Sequence, residues 1–428
     1  MPMPTQMRNS FAAPVCALCL TGLMLAGCVS TERTSNQNLA FIYDRRSEDL
    51  KPEFRVRHES DTVSLLEFRI ASKDLLYLQN PESGYYSAQF RMRYEVYGQV
   101  ESRVLVDSAV VMFKDSILTP ENRSIEGALR LKPSRSAIGV LKVDLVDLKR
   151  NTRSISYLSI DRSEKDCRQF FNVVEAKDDV PLFRNHLSAN DEVVISHSSG
   201  AQRAKVSLYR QEMPLPMPPF SMGEARPFNY APDSVFTIPL GTPVSFPKEG
   251  MYHIQINDST RQGLTIMRFR DGFPKVKEVD DLIAPLRYIN SSQEFKKLTS
   301  ADFPKAEVDR FWLALAGNSE RARILIEKFY SRVQDANTHF TSFTEGWRTD
   351  RGLIYVIYGP PEILYKNSNA EQWTYGDPSS PRSVTFVFRR VGNPFSDNDF
   401  RLERSQMYKS DWFRVVDQWR QGRIYLGN

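Results

Sequence analysis

Residues 346–362 read Gly-Trp-Arg-Thr-Asp-Arg-Gly-Leu-Ile-Tyr-Val-Ile-Tyr-Gly-Pro-Pro-Glu, and how this run folds decides the C-terminal architecture. The apolar, partly β-branched stretch Leu353–Tyr358 is bounded by turn residues, which predicts a buried strand. Proline has no amide donor and pushes the residue before it into the extended region. Gly359-Pro360-Pro361 is therefore expected to stop that strand and fix its exit. Gly346 and Gly352 allow positive φ or close backbone approach on either side of the Trp-Arg-Thr-Asp corner. Thr349 and Asp350 are expected to accept from local amides in an Asx-type turn, with Asp350 and Arg351 also satisfying each other. The run reads as corner, core strand and proline stop.

Working outward, Lys305–Ala316 has helix-forming composition and ends at Gly317-Asn318, a cap and a turn. Ser319 is expected to cap a second helix in which Ala322, Leu325, Phe329, Val333, Ala336 and Phe340 recur at helical spacing. That apolar stripe is suited to packing on the sheet that follows. Downstream, Gln372–Tyr375, Ser383–Phe388 and Phe400–Glu403 read as strands, and Trp412–Gly422 as a short amphipathic helix. Residues 319–428 thus form an α+β module of helix plus small antiparallel sheet, preceded by a helical linker over 276–318.

Further upstream the pattern changes to short alternations typical of half-buried strands. In Ser87–Tyr97, Ala88, Phe90, Met92, Tyr94 and Val96 face one way and Gln89, Arg91, Arg93 and Glu95 the other. Val104–Phe113, Gly127–Leu131, Gly139–Leu148 and Ser154–Ile160 follow. A second such region holds Glu192–Ser196, Ala204–Tyr209, Ser234–Leu240, Met251–Ile256 and Leu264–Phe269. The fold class is mainly β: two β-sandwich domains of Ig-like layout, over 41–162 and 163–275, without the Cys and Trp hallmarks of antibody domains. Met213–Phe220, Met-Pro-Leu-Pro-Met-Pro-Pro-Phe, reads as a stiff inter-strand loop, with a polyproline II ligand for a partner's groove as the alternative.

At the N-terminus, Arg8 precedes an apolar stretch from Phe11 to Ala26, too short for a permanent membrane span and typical of a secretory signal over 1–27. Leu25-Ala26-Gly27-Cys28 resembles the lipobox of bacterial lipoproteins, which implies Cys28 as the lipidated first residue of the mature chain. The polar residues that follow predict a flexible tether over 28–40. They contain no acidic cluster after Cys28, which favours a periplasm-facing protein of the outer membrane. Of 4 cysteines, only Cys167 then stays free in the mature chain. The formal charge of +5 is spread through mixed-sign segments, which argues against nucleic-acid binding.

Tyr330, Arg332, Ala336-Asn337 and Phe340, then Gly346-Trp347-Arg348-Thr349-Asp350-Arg351-Gly352, Tyr358-Gly359-Pro360-Pro361 and Glu371-Gln372-Trp373-Thr374-Tyr375, resemble the GWxTD domain of bacterial envelope proteins. The resemblance implies a GWxTD domain-containing bacterial lipoprotein and brings no established reaction. It marks Trp347, Arg348, Asp350, Arg351, Pro360, Pro361, Glu371 and Trp373 as signature and candidate interaction residues. Among the 5 histidines none has metal-ligand spacing, and serine-hydrolase and phosphate-loop motifs are absent, so no catalytic residue, metal or cofactor is called. The expected function is a non-catalytic binding or assembly subunit of an envelope complex, with the membrane reached through lipid and a protein partner. The alternative is binding or cleavage of peptidoglycan or polysaccharide, with Asp350, Glu362, Glu371 and Asp377 as paired carboxylates beside Trp347, Tyr355, Trp373 and Tyr375.

Overall fold

Among the described residues, apolar-polar alternation between Glu53 and Asp161 produces eight strands, all but the exposed pair Leu78–Gln79 carrying buried residues. These are β1 (Glu53–His58), β2 (Ser64–Ala71), β3 (Leu78–Gln79), β4 (Tyr86–Tyr97), β5 (Leu105–Ile117), β6 (Ser124–Leu131), β7 (Ile138–Asp147) and β8 (Arg153–Asp161). This is a computed structural model, and it describes residues 37–44, 50–98, 104–132, 137–223 and 227–425. The Cys28 expectation lies outside those residues. Strands β1, β2 and β6 form one sheet; β3 and β7 flank β4 on one side, β5 pairs with it, and β8 follows β7. Val56, Leu66, Phe68 and Ile70 of the first sheet share a core with Phe90, Met92, Leu141 and Val143 of the second. A two-layer sandwich results.

The second region repeats the principle with β9 (Phe171–Glu175), β10 (His186–Leu187), β11 (Glu192–His197), β12 (Arg203–Tyr209), β13 (Ser234–Pro239), β14 (Pro243–Ser245), β15 (Gly250–Gln255) and β16 (Leu264–Arg268). One sheet has the order β10-β16-β15-β12-β13 and the other β14-β11-β9. Val193, Ile195, Val206 and Ile254 fill the space between them. Both sandwiches stand as mainly-β modules, and their strand orders give no support to the Ig-like label. The proline-rich Met213–Phe220 lies in the β12–β13 connection and joins no sheet.

The C-terminal part contains α1 (Val279–Ile283), α2 (Ser292–Thr299), α3 (Pro304–Ala316), α4 (Ser319–Phe340), α5 (Asp350–Tyr358) and α6 (Lys409–Arg420). Its sheet is antiparallel in the order β17 (Ile363–Lys366), β18 (Ala370–Tyr375), β19 (Val384–Arg390) and β20 (Phe400–Leu402). Gly317 adopts φ 78° to end α3, as expected of a C-cap. Asn318, not Ser319, caps α4, because its side chain accepts from the Arg321 amide. The segment 276–318 is no detached linker: Ile283, Leu286, Leu298, Val308 and Trp312 belong to the same core as α4 and the sheet. No helix among the described residues is long and apolar enough to cross a membrane.

The largest departure from expectation is Leu353–Tyr358, which is helix rather than strand. Every residue of α5 is buried. A helix covered on all sides shows no amphipathic period, so its β-branched, apolar run looks like a strand in the sequence. The ends settle the outcome. Thr349 accepts from the Gly352 amide at 3.0 Å as N-cap, and Gly359 at φ 88° lets the chain leave at the other end. Pro360-Pro361 therefore follow a helix, where proline is common because it cannot continue one.

The start of the described chain is also part of this core. Asn38 Nδ2 donates to the Glu362 carbonyl, and the Leu39 amide donates to the Leu364 carbonyl at 2.8 Å. Leu39 and Tyr43 are buried there, and the Tyr355 hydroxyl donates to the Tyr43 carbonyl. The end of the expected tether, Asn38–Ala40, is thus docked.

Candidate functional site

The signature corner is built by close backbone approach. A Cβ on Gly346 would stand 1.9 Å from the Ala336 carbonyl oxygen of α4, and one on Gly352 would stand 2.0 Å from the Gly346 oxygen. Neither glycine has positive φ; absence of a side chain is what the packing needs. Trp347 is buried, with its amide donating to Asn337 Oδ1, its carbonyl accepting from Tyr288 and its indole donating to Glu345. Arg332, on α4, donates to the Val356 and Ile357 carbonyls at the C-terminal end of α5 and to the Tyr425 carbonyl. A cation there suits the negative end of the helix dipole.

The carboxylates expected to act together are held apart, each with its own partners. Glu371 is 0% exposed and accepts from Arg351 at 3.0 Å, Lys366 at 2.9 Å, the Trp373 indole at 3.0 Å and the Tyr43 hydroxyl at 3.1 Å. Burial pushes its carboxyl up, but Lys366 and Arg351 outweigh burial and hold it down to about 2. Asp350 does not pair with Arg351; it takes both donors of Arg404, at 2.6 and 3.1 Å, and the Leu402 amide at 2.8 Å. Glu362 accepts from the Gly376 amide, and Asp377 belongs to an exposed turn with Ser379. Trp373, Tyr355 and Tyr375 are fully buried, which removes the aromatic platform that sugar stacking requires. Glu371, with every acceptor site filled and its carboxylate held ionised, has no free lone pair or proton to lend to a reaction. Among the described residues no group of His, Cys, Asp and Glu is placed to hold a metal ion. Cys167 is buried, donates to the Asp161 carbonyl, and burial pushes its thiol up to about 11.

What the corner leaves accessible is an edge and a cleft. The cleft has a volume of about 620 Å³ and lies between the second sandwich and the C-terminal module, with Met251, Met267, Phe295 and Phe343 among its apolar walls and Arg268, Glu345 and Arg348 among its charged ones. Burial pushes the Glu345 carboxyl up, and Arg348, 3.9 Å away, works in the other direction. Sequence reasoning missed Glu345, although it directly precedes Gly346.

Beside the cleft, Met213–Phe220 crosses the C-terminal module as a strap. Arg348 Nη2 donates to the Met213 carbonyl at 2.7 Å and to Glu212 at 3.2 Å. Arg404 Nη2 donates to the Met217 carbonyl, the Ser405 amide to the Pro219 carbonyl, and Gln406 to the Phe220 carbonyl at 2.9 Å. The Phe220 ring lies 5.3 Å from that of Phe413. Two signature positions, Arg348 directly and Asp350 through Arg404, therefore form the strap's receptor. Arg404 and Gln406 carry no local signal in the sequence, since their role depends on the fold bringing them beside residue 348.

The family model described as GWxTD domain matches residues 250–421. That span takes in the last two strands of the second sandwich as well as the α+β module. A search of curated protein sequences returned no match. Among solved structures, the chain is similar to a calcium-binding mutant of Bacteroides uniformis beta-glucuronidase 2, at 12% identity over 26% of this chain and 13% of that one, with a TM-score of 0.17. The same enzyme covalently bound to cyclophellitol-6-carboxylate aziridine matches at 12% identity over 31% and 17%, TM-score 0.16. The BSP domain of a biofilm associated protein matches at 10% identity over 53% of each chain, TM-score 0.16. The matches span between 13% and 53% of those chains, and TM-scores this low carry no argument about fold or function.

Proposed function

We propose, from the premise that residues 250–421 carry a GWxTD domain, that this chain is a lipid-anchored lipoprotein of the bacterial outer membrane, facing the periplasm. It serves there as a non-catalytic binding or assembly subunit of an envelope complex. The observation that carries this reading is the division of the signature. Its carboxylates and aromatics are spent on the interior, while Arg348 and Arg404 grip a chain segment by its carbonyls. Grip without a reactive group is the chemistry of recognition.

The docked N-terminal segment supports an orientation. Residues between Cys28 and Asn38 span at most about 35 Å at about 3.3–3.6 Å per residue, so lipid on Cys28 would keep the GWxTD domain close to the bilayer. One or more acyl chains, at about 0.8 kcal/mol per buried methylene, would supply the anchor without a spanning helix. Cys28→Ser is expected to move the protein from the membrane fraction to the soluble one; retention in the membrane contradicts the anchor. Crosslinking in intact membranes followed by mass spectrometry is expected to return one stoichiometric envelope protein. Purified chain that turns over cell-wall fragments without such a partner would overturn the reading.

A further inference from the structure

We infer that the edge carrying Arg348, Arg404, Ser405 and Gln406 is a peptide-binding groove, filled in this structure by the chain's own Met213–Phe220 and open to a proline-punctuated apolar segment of a partner protein. The inference rests on the proposed binding role and names its surface.

The strap is not needed by the sandwich that carries it. Strands β12 and β13 pair antiparallel, with Leu208 opposite Ser234, so a hairpin loop of about two to five residues would join them. In the 210–233 connection, Arg210 and Gln211 still pair with Asp233 and Asn229, but Met213–Phe220 instead leaves the sheet and reaches the C-terminal module. Connections of this length inside a compact domain are usually functional.

The chemistry of the contact is one-sided. The groove supplies the donors and the strap supplies carbonyls. Pro214, Pro216, Pro218 and Pro219 have no amide hydrogen, so half of the strap's residues can be desolvated without stranding a donor. Leu215 and Phe220 add apolar contact with the C-terminal core. Carbonyls read by side-chain donors do not encode residue identity; the groove selects for missing amides and for spaced apolar side chains, the logic by which proline-rich ligands are recognised.

The receptor is prepared independently of its occupant. Asp350 holds Arg404 in a two-pronged ion pair, and the Arg348 guanidinium lies 5.7 Å from the centre of the Trp347 ring. The occupant is held lightly by comparison: within Met213–Phe220 only Pro219 is buried. A covalently tethered segment competes at an effective concentration on the order of millimolar, so a partner must make additional contacts to replace it. The adjoining cleft offers them. Met213 and Arg348 both form part of its wall, so the cleft adjoins the first of the strap's contacts.

The test uses a fluorescent synthetic peptide of residues 211–222 and the purified chain with and without Leu215→Ser and Phe220→Ser, which weaken the strap but leave its receptor. The doubly substituted chain is expected to bind the peptide at least ten-fold more tightly than the unmodified chain, and adding Arg348→Ala is expected to remove that gain. A doubly substituted chain that is folded by circular dichroism yet binds no more tightly overturns the inference. Amide exchange on the unmodified chain gives an independent readout that needs no variant. The Ser405 amide, held by the strap, should exchange at least ten-fold faster than the Leu402 amide, held by Asp350; equal rates would make the strap a permanent brace and overturn the inference. A concentration-dependent dimer that disappears in the doubly substituted chain would assign the groove to a second copy and overturn the partner assignment. Absence of an envelope partner in membranes would undo the proposed function and leave the peptide result standing. Partner capture without peptide binding would keep the function and move its surface elsewhere.

Discussion

Glu371 and Arg348 stand in one signature and in opposite physical settings. Glu371 is dry, with four side chains donating to it, and any change there leaves charges without partners in the interior. Arg348 is half-buried at an edge, donates to a backbone carbonyl and an exposed glutamate, and lies 3.9 Å from the half-buried Glu345 carboxylate. The difference teaches that a specific residue string need not be a functional unit. One part of it makes the fold and a smaller part is left over for contact.

The comparison can be broken most severely at its hinge. Gly346→Ala places a methyl group inside the backbone of α4 and is expected to cost about 5 kcal/mol or more, seen as loss of folded protein in chemical denaturation. A stable Gly346→Ala protein would show that the corner yields. Glu371→Gln keeps the shape but leaves Arg351 and Lys366 without their carboxylate; a loss of about 3 kcal/mol is expected at neutral pH.

Titration sharpens the same contrast. The Glu371 carboxyl is held at about 2, below its ordinary 4.5, so its stabilising effect is complete above about pH 4.5 and is lost as the pH falls toward 2. His339 moves in a different window: burial, then Arg351, lowers it from 6.5 to about 4. The unfolded chain takes up that proton first, so stability is complete above about pH 6.5 and declines as the pH falls toward 4. His339→Gln is expected to remove about 2 kcal/mol of the decline between pH 7 and 5, read from melting temperature against pH. An unchanged slope would place the acid sensitivity elsewhere, His186 and His253 being the other imidazoles that desolvation lowers to about 4. The smallest effect belongs to Arg348→Ala, expected to change stability by less than about 1 kcal/mol because its hydrogen-bond partners are a strap carbonyl and an exposed acid and its pair with Glu345 is long, at 3.9 Å.

What was legible in the sequence follows the same division between repeating pattern and unique contact. The stripe from Ala322 to Phe340 specified α4, and the alternation in Ser87–Tyr97 specified β4, because each has one wet and one dry face. Leu353–Tyr358 has no wet face, so period said nothing, and only the Thr349 cap could have marked a helix. In the first sandwich, charges mask the alternation of β1 and β2: Arg55 and Arg57 of β1 pair with Glu67 of β2, which a sequence shows only as polarity. Asn38 opens an apolar run, Leu39-Ala-Phe-Ile-Tyr43, directly behind a polar stretch, and a tether drawn over 28–40 cuts through it; its docking partner, β17, lies more than 300 residues away and carries no local signal. At the candidate site, Trp347 and Arg348 were visible as a signature, whereas Arg404, Gln406 and the strap meet them only in three dimensions.

The central claim is that the signature's interior makes the fold and its edge makes the contact, and one side-by-side measurement on Arg348→Ala and Glu371→Gln tests it most directly. Each variant is purified from crosslinked membranes, and its melting temperature and partner stoichiometry are recorded together. Arg348→Ala is expected to melt within about 2 °C of the unmodified chain and to lose most of its partner. Destabilisation by Arg348→Ala as large as that by Glu371→Gln, or full retention of the partner at an unchanged melting temperature, would contradict the account.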